Sequence, residues 1–296
     1  MQPDKGYLII PNVMRDRVEG PSVVSSDPIG ISSKGLFRMR ERNLRYEKTD
    51  HVLVIYMGSS LMSHPMWKEG MSEELEELCN DIAWDEEIRV VLIGDTGEGG
   101  LPGETDSMEA ASTGRIEGEM EFRSFAEPIS RLDRPVIAAL SGDAIGQGLE
   151  WALACDIRIA SETSHFGLPQ IKIGHIPGDG GTQRLSRLVG TGKALEMILT
   201  GETIHAQEAL RIGLIHKMVP KEELMKVAMD MAGDMASKGP TALRYAKEAI
   251  QKGLDMTLEQ GLRLEADLYL LLHTTRDRTE GIKAFREKKI PKFEGK

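Results

Sequence analysis

Beyond residue 50 the chain falls into short apolar runs, separated by longer stretches in which apolar positions recur every three or four residues. Residues 51–57 form one such run and predict a buried strand. In the next stretch Leu75, Leu78, Cys79 and Ile82 stand at i, i+3, i+4 and i+7, which predicts a helix over 72–84. Glu73 and Glu74 suit its N-terminal end, where backbone N–H groups carry partial positive charge. Residues 88–93 are rich in β-branched side chains and predict a second strand. A helix over 117–132, a strand over 135–140 and a strand through Ile157, Arg158 and Ile159 continue the alternation. Strands separated by helices predict an α/β core with parallel strands. From Thr182 onward helices dominate, at 180–189, 191–199, 206–212, 221–237, 241–252, 257–273 and 276–287. Residues 1–43 show no such period. They are rich in Pro, Gly, Ser and Arg, and predict an extension that either wraps over a neighbouring surface or stays partly disordered.

Two glycine-rich segments interrupt the pattern and carry the candidate chemistry. The first, Ser141-Gly142-Asp143-Ala144-Ile145-Gly146-Gln147-Gly148-Leu149-Glu150-Trp151, leads from strand 135–140 into a helix. Glycines at such a junction let a ligand approach the backbone closely. The helix start aims unpaired N–H groups at whatever binds. Glu150 lies in the first turns, so developing negative charge would meet backbone donors with an acid/base group at hand. Taken alone, the segment also fits a turn that binds nothing, or one that cradles a nucleotide phosphate. Gly142, Gly146 and Gly148 do not space as G-x-G-x-x-G, however, and no Walker lysine follows.

The second segment is Phe166-Gly167-Leu168-Pro169-Gln170-Ile171-Lys172-Ile173-Gly174-His175-Ile176-Pro177-Gly178-Asp179-Gly180-Gly181-Thr182-Gln183-Arg184-Leu185. Together the two segments closely resemble the crotonase (enoyl-CoA hydratase/isomerase) family, and Leu199-Thr200-Gly201-Glu202 and the helical end of the chain agree with it. The resemblance covers about residues 44–293. It implies an α/β fold of crotonase type, in which stacked ββα turns form a spiral core and a helical C-terminal region drives trimerisation. The corresponding division is an extension at 1–43, the spiral core at 44–220 and the helical region at 221–296. A homotrimer, or a hexamer built as a dimer of trimers, follows from the same resemblance.

What the family does with these motifs yields a set of expectations. Two backbone N–H groups polarise an acyl-thioester carbonyl and hold the enolate-like oxyanion. Here they fall on Gln147 and Glu104, with Gly103, Gly146 and Gly148 shaping the two turns. Glu104 reads either as a solvated loop residue or as a third acid/base group. Glu150 matches the first of the two hydratase glutamates. The second falls on Gln170, whose amide can orient a water but cannot exchange a proton at neutral pH. Asp179 reads either as a helix N-cap or as the auxiliary carboxylate. His175 borders the site four residues earlier, and Trp67 is either a wall of the substrate pocket or a core contact. Lys288, Lys289 and Lys292 lie where family members approach the adenosine end of CoA, and read otherwise as a solvated tail. The expected activity is hydratase-like lyase chemistry on an acyl-CoA, with CoA entering only as part of the substrate and no metal required. A second reading comes from a family branch that hydrolyses C–C bonds in β-diketones or cyclic ketoacyl substrates, with Glu150 and Asp179 activating water. A third is a crotonase-fold binding protein without turnover, motivated by the altered positions Glu104, Gln147 and Gln170.

Composition narrows this further. The formal net charge of −10 argues against a nucleic-acid partner, which calls for a basic face. No apolar stretch reaches membrane-spanning length, and the N-terminus lacks a basic region followed by an apolar one, so a cytoplasmic protein is expected. The two cysteines, Cys79 and Cys155, sit on apolar helix faces and predict buried free thiols.

Overall fold

Asp50 and His51 take positive φ angles of 45° and 68°, and the chain reverses there. Two consecutive residues at positive φ match the right-handed twist of a hairpin. The turn joins β1 (Arg45–Thr49) to β2 (Val52–Met57) as an antiparallel pair. The expected strand therefore begins one residue after His51, and β1 is an addition to the sequence reading. The computed structural model describes residues 44–57, 67–95 and 124–296, with the backbone alone at 67–71 and 95. The extension at 1–43 lies outside the described residues.

From β2 onward the main sheet is parallel. Its order is β1-β2-β3-β4-β6-β9, with β3 (Val90–Asp95), β4 (Val136–Leu140), β6 (Ile157–Ser161) and β9 (Lys217–Val219). The register pairs Leu92 with Ile137 and Ala139 with Ile159. β4 is buried at every position, which is why it reads as a continuous apolar run and not as an alternation. β3 lies two residues later than periodicity suggested. A second, three-stranded sheet joins β5 (Ala144–Ile145), β7 (His165–Gly167) and β8 (Ile204–His205).

The helices follow the apolar period closely. α1 (Trp67–Trp84) starts five residues before the expected 72. Of the helix predicted over 117–132, residues 124–132 are described, and only α2 (Ala126–Ser130) among them is helical. α3 (Gln147–Ala154) follows the first glycine-rich turn and α4 (Gly181–Val189) the second. Then come α5 (Thr191–Thr200), α6 (Ala206–Arg211), α7 (Leu224–Ala236), α8 (Pro240–Gly253), α9 (Leu258–Leu272) and α10 (Arg276–Glu287).

α7 lays Leu224, Ala228, Ala232 and Ala236 across the sheet, against Val54, Leu92 and Ile137 among others. Its i, i+4 alanine stripe lets the helix axis come close to the strands, and burying the Leu224 side chain alone contributes about 1.5–3 kcal/mol. α9 begins with a capping box: Thr257 accepts from the Gln260 N–H while the Gln260 side chain accepts from the Thr257 N–H. Arg158 is buried and donates to the carbonyls of Ala152, Cys155 and Leu214, so it ties β6 to the end of α3 and to the segment before β9. Both cysteines are buried free thiols, the Cys155 thiol donating to Trp151 O at 3.5 Å, and burial pushes each up to about 12, which keeps them protonated.

Candidate active site

Both glycine-rich turns converge on Glu150. β4 ends at Leu140, and the chain passes through β5 into α3 at Gly146. Gly146 adopts φ 57° and ψ −125°, a conformation that only glycine takes without strain. Its N–H donates to Gly167 O at 2.9 Å and its carbonyl accepts from Leu149 and Glu150 at 3.0 and 3.1 Å. The turn is thereby pinned to β7, and the first intrahelical bonds begin at Leu149. The N–H groups of Gln147 and Gly148 precede them and find no acceptor among the described residues. The backbone donor expected at Gln147 is thus at the open end of the helix that carries Glu150.

Glu150 is only 2% exposed. Its Oε1 accepts the N–H of Asp179 at 2.7 Å and of Gly181 at 2.8 Å. Its Oε2 accepts from Gln170 Nε2 at 3.4 Å. Two short main-chain bonds fix one carboxylate oxygen and turn the other toward the amide. Sequence reasoning placed this loop beside the site but missed that its backbone would grip the glutamate. The Gly180-Gly181 pair was the available signal. An ideal Cβ on Gly181 would stand 2.9 Å from Glu150 Oε1, so only glycine allows the contact.

Gln170 sits in the 3₁₀ turn Pro169–Ile173 and is 6% exposed. Its Oε1 is buried and has no hydrogen-bond partner among the described residues. A buried acceptor left open in this way costs about 1–3 kcal/mol, so it marks a place where a donor belongs. Trp151 Nε1 is another buried atom without a partner among the described residues, and the indole packs on Phe125 with ring centroids 5.5 Å apart.

Asp179 departs from its expected roles. It is 6% exposed, and Oδ2 accepts from the N–H groups of Phe125 and Ala126, each at 2.8 Å. Oδ1 takes a short hydrogen bond from Ser124 Oγ, which itself accepts from the Glu127 N–H at 2.9 Å. The carboxylate therefore caps α2 from across the fold. It does not cap α4, whose N-cap is Gly180, and it is engaged on both oxygens, unlike an auxiliary acid/base group. The reason is the local supply of donors: the amides of Phe125 and Ala126 and the Ser124 hydroxyl all lie within hydrogen-bonding distance of its carboxylate.

The remaining candidates separate. His175 donates its backbone N–H to Gln170 O at 3.0 Å, but its side chain is solvent-exposed and makes no bond to Asp179. Gly148 is buried in the first turn of α3. Trp67 opens α1, and its side chain lies outside the described residues, as do Gly103 and Glu104. Lys288, Lys289 and Lys292 are exposed beyond α10, and Lys289 pairs with Glu287 at 2.9 Å. Among the described residues no group of three or more His, Cys, Asp or Glu side chains could hold a metal ion.

This geometry has counterparts. Residues 66–296 match the family model described as "Enoyl-CoA hydratase/isomerase". The chain is 36% identical over 261 residues to the short-chain-enoyl-CoA hydratase of Clostridium acetobutylicum, covering 87% of this chain and 98% of that protein. It is 35% identical over 263 residues to the crotonyl-CoA hydratase of Syntrophomonas wolfei, covering 86% and 99%. Among solved structures, the enoyl-CoA hydratase of Bacillus anthracis superposes with a TM-score of 0.72 at 36% identity, covering 86% of this chain and all of that one.

Proposed function

Because the chain belongs to the enoyl-CoA hydratase/isomerase family and carries its crotonase fold, we propose that it is a hydratase-like lyase that adds water across the double bond of an enoyl-CoA thioester. The observation that carries this reading is the buried, open acceptor Gln170 Oε1 beside the gripped carboxylate of Glu150. A water that donates one O–H to Gln170 Oε1 and the other to Glu150 Oε2, which also accepts from Gln170 Nε2, is held between the two side chains. Its lone pair is then free to attack the β-carbon.

Glu150 takes the proton as the new C–O bond forms. The electron pair of the double bond moves toward the thioester, and the charge collects on its oxygen, where the N–H of Gln147 donates. The family resemblance assigns the second donor to Glu104, which lies outside the described residues. The protonated Glu150 then returns its proton to the α-carbon, and the carbonyl re-forms. The net change is addition of one water, and the carboxylate ends as it began. Gln170 cannot accept or give the proton, so one residue carries it both ways. General acid/base work of this kind contributes about 10²–10⁴-fold, and each oxyanion donor about 10²–10³-fold. CoA takes part only as the substrate's carrier, and main-chain N–H groups serve where another enzyme would use a Lewis acid. The C–C hydrolase alternative needs Asp179 to activate water with Glu150, and the α2 cap occupies that carboxylate.

The test is direct. Incubated with crotonyl-CoA, the protein should remove the absorbance of the conjugated enoyl thioester, and Glu150→Gln should lose at least about 10²-fold in kcat. CoA binding without turnover of any short-chain enoyl-CoA would favour a binding protein instead.

We further propose that the protein assembles as a homotrimer, or a hexamer of two trimers, through its C-terminal helices. On the packed pair α8 and α9, Ile250, Leu258 and Leu262, with Leu254 just after α8, project into solvent, Leu258 being 80% exposed. A patch of this kind marks an association surface. Sedimentation should show a trimer or hexamer, and Leu258→Asp with Leu262→Asp should reduce it to monomers. No helix among the described residues is long and apolar enough to cross a membrane. The two buried free thiols fit a reducing, cytoplasmic setting.

A further inference from the structure

We infer that Asp179 is a positioning residue for Glu150: it locks the proton-carrying glutamate through a closed ring of contacts and transfers no proton itself. The inference rests on the assignment of Glu150 above. The ring runs through four residues. The Asp179 N–H donates to Glu150 Oε1 at 2.7 Å. The Asp179 carboxylate accepts the Phe125 N–H at 2.8 Å. The Phe125 ring packs on the Trp151 ring at 5.5 Å. Trp151 is the chain neighbour of Glu150 and continues the same helix. Glu150 is thus held from its carboxylate and from its backbone by one connected unit.

A second strut braces the loop. Arg184 Nη1 donates to Asp179 O at 2.8 Å, and its Nη2 stands 3.6 Å from Glu127 Oε2 in α2. The guanidinium therefore spans the two elements that the Asp179 side chain joins. All four ring residues are buried, so water competes poorly for any of these bonds. Three donors, two N–H groups on one oxygen and a hydroxyl on the other, already hold this carboxylate against α2.

An amide in this position keeps the ring. In Asp179→Asn the side-chain oxygen would accept the Phe125 and Ala126 N–H groups, and the NH₂ would donate to Ser124 Oγ, which has a lone pair to spare. Alanine would break the ring. Asp179→Asn should keep kcat for crotonyl-CoA within about threefold of wild type, with both limbs of the pH–rate profile unchanged. Asp179→Ala should lose about 10²-fold in kcat with KM nearly unchanged, the effect of displacing a catalytic group by about 1 Å. Amide hydrogen exchange reads the same ring without turnover. In Asp179→Ala the amides of Phe125 and Ala126, and those of residues 179 and 181 that grip Glu150, should all exchange faster. In Asp179→Asn they should stay protected.

Two results overturn the proposal. One is an Asp179→Asn enzyme as inactive as Glu150→Gln, or lacking a limb of the pH profile, while its amides stay protected; Asp179 is then an acid or base. The other is Asp179→Ala in which Phe125 and Ala126 are released but the Gly181 amide stays protected, so that the cap and the Glu150 grip are independent. If wild type fails to hydrate crotonyl-CoA, the function assigned to Glu150 falls, and the exchange data still decide whether the ring exists.

Discussion

Replacing Gly181 by alanine puts the grip on Glu150 under direct strain. The Gly181 N–H lies 2.8 Å from Glu150 Oε1, and an ideal Cβ on the same residue would meet Pro177 Cβ at 2.8 Å, Glu150 Oε1 at 2.9 Å and Leu168 Cδ1 at 3.0 Å. Pro177 and Leu168 are buried, so neither moves freely. The carboxylate is what yields, and it yields by lengthening its own main-chain bonds. Overpacking a well-filled site costs about 1–3 kcal/mol. A hydrogen bond to a charged group is worth about 1.5–3 kcal/mol. The two terms trade against each other, so the net loss should be about 2–3 kcal/mol, or a drop in Tm of roughly 4–6 °C for a domain of this size. Moving the carboxylate by about 1 Å should cost roughly 10²-fold in kcat. The assay pairs a thermal melt with steady-state hydration of crotonyl-CoA. Gly233→Ala is the control, because it lies exposed in the middle of α7 with nothing within 4 Å of its ideal Cβ. It should gain about 0.5–1 kcal/mol and leave kcat untouched. A Gly181→Ala protein with wild-type Tm and wild-type kcat would refute the picture of a backbone clamp on Glu150.

Other perturbations read the same site. Glu150→Gln keeps an oxygen for the Asp179 and Gly181 N–H groups and should melt close to wild type, whereas Glu150→Ala leaves both donors buried and open, at about 1–3 kcal/mol each; a Glu150→Ala melt equal to that of Glu150→Gln would contradict this. Gln170→Glu would set a second carboxyl within hydrogen-bonding distance of Glu150, and the buried pair would share one proton. A carboxyl whose folded pKa is raised loses its stabilising proton as pH climbs, so Gln170→Glu should lose stability between about pH 5 and pH 8 relative to wild type in denaturant titrations. His216 Nδ1 accepts the Arg158 N–H at 3.2 Å, and burial, followed by the nearby Arg158 charge, lowers the imidazole below its ordinary 6.5. The unfolded chain then binds the proton more readily than the folded one, so this contribution is present above pH 6.5 and fades as pH falls through the folded pKa. Tm measured from about pH 5.5 to 7.5 should fall less steeply on the acid side for His216→Gln than for wild type.

The helices from α4 to α10 were legible in the chain because their apolar residues repeat locally every three or four positions, and α4, α5 and α7 bury that stripe within this chain. β2 and β4 were legible because both faces are covered and the whole run is apolar. β5, β8 and β9 were not. Each is two or three residues long and exists only through its partners, Ile204 against Phe166 and Lys217 against Ile159, so no local period announces it. The two long motifs named Glu150 and Gln170, since a resemblance that specific carries positions with it.

What those positions touch was decided elsewhere. The partners of Glu150 come from 29 and 31 residues along the chain, and those of Asp179 from 53 to 55 residues back. The identity of Asp179 permits an acid, a base or a cap equally. Residue types and their spacing set which helices and strands could form and which chemistry was at hand. The tertiary structure alone chose the bonds: a carboxylate answers to the nearest donors in space, and folding brought the amides of α2 to Asp179 and the amides of the glycine loop to Glu150.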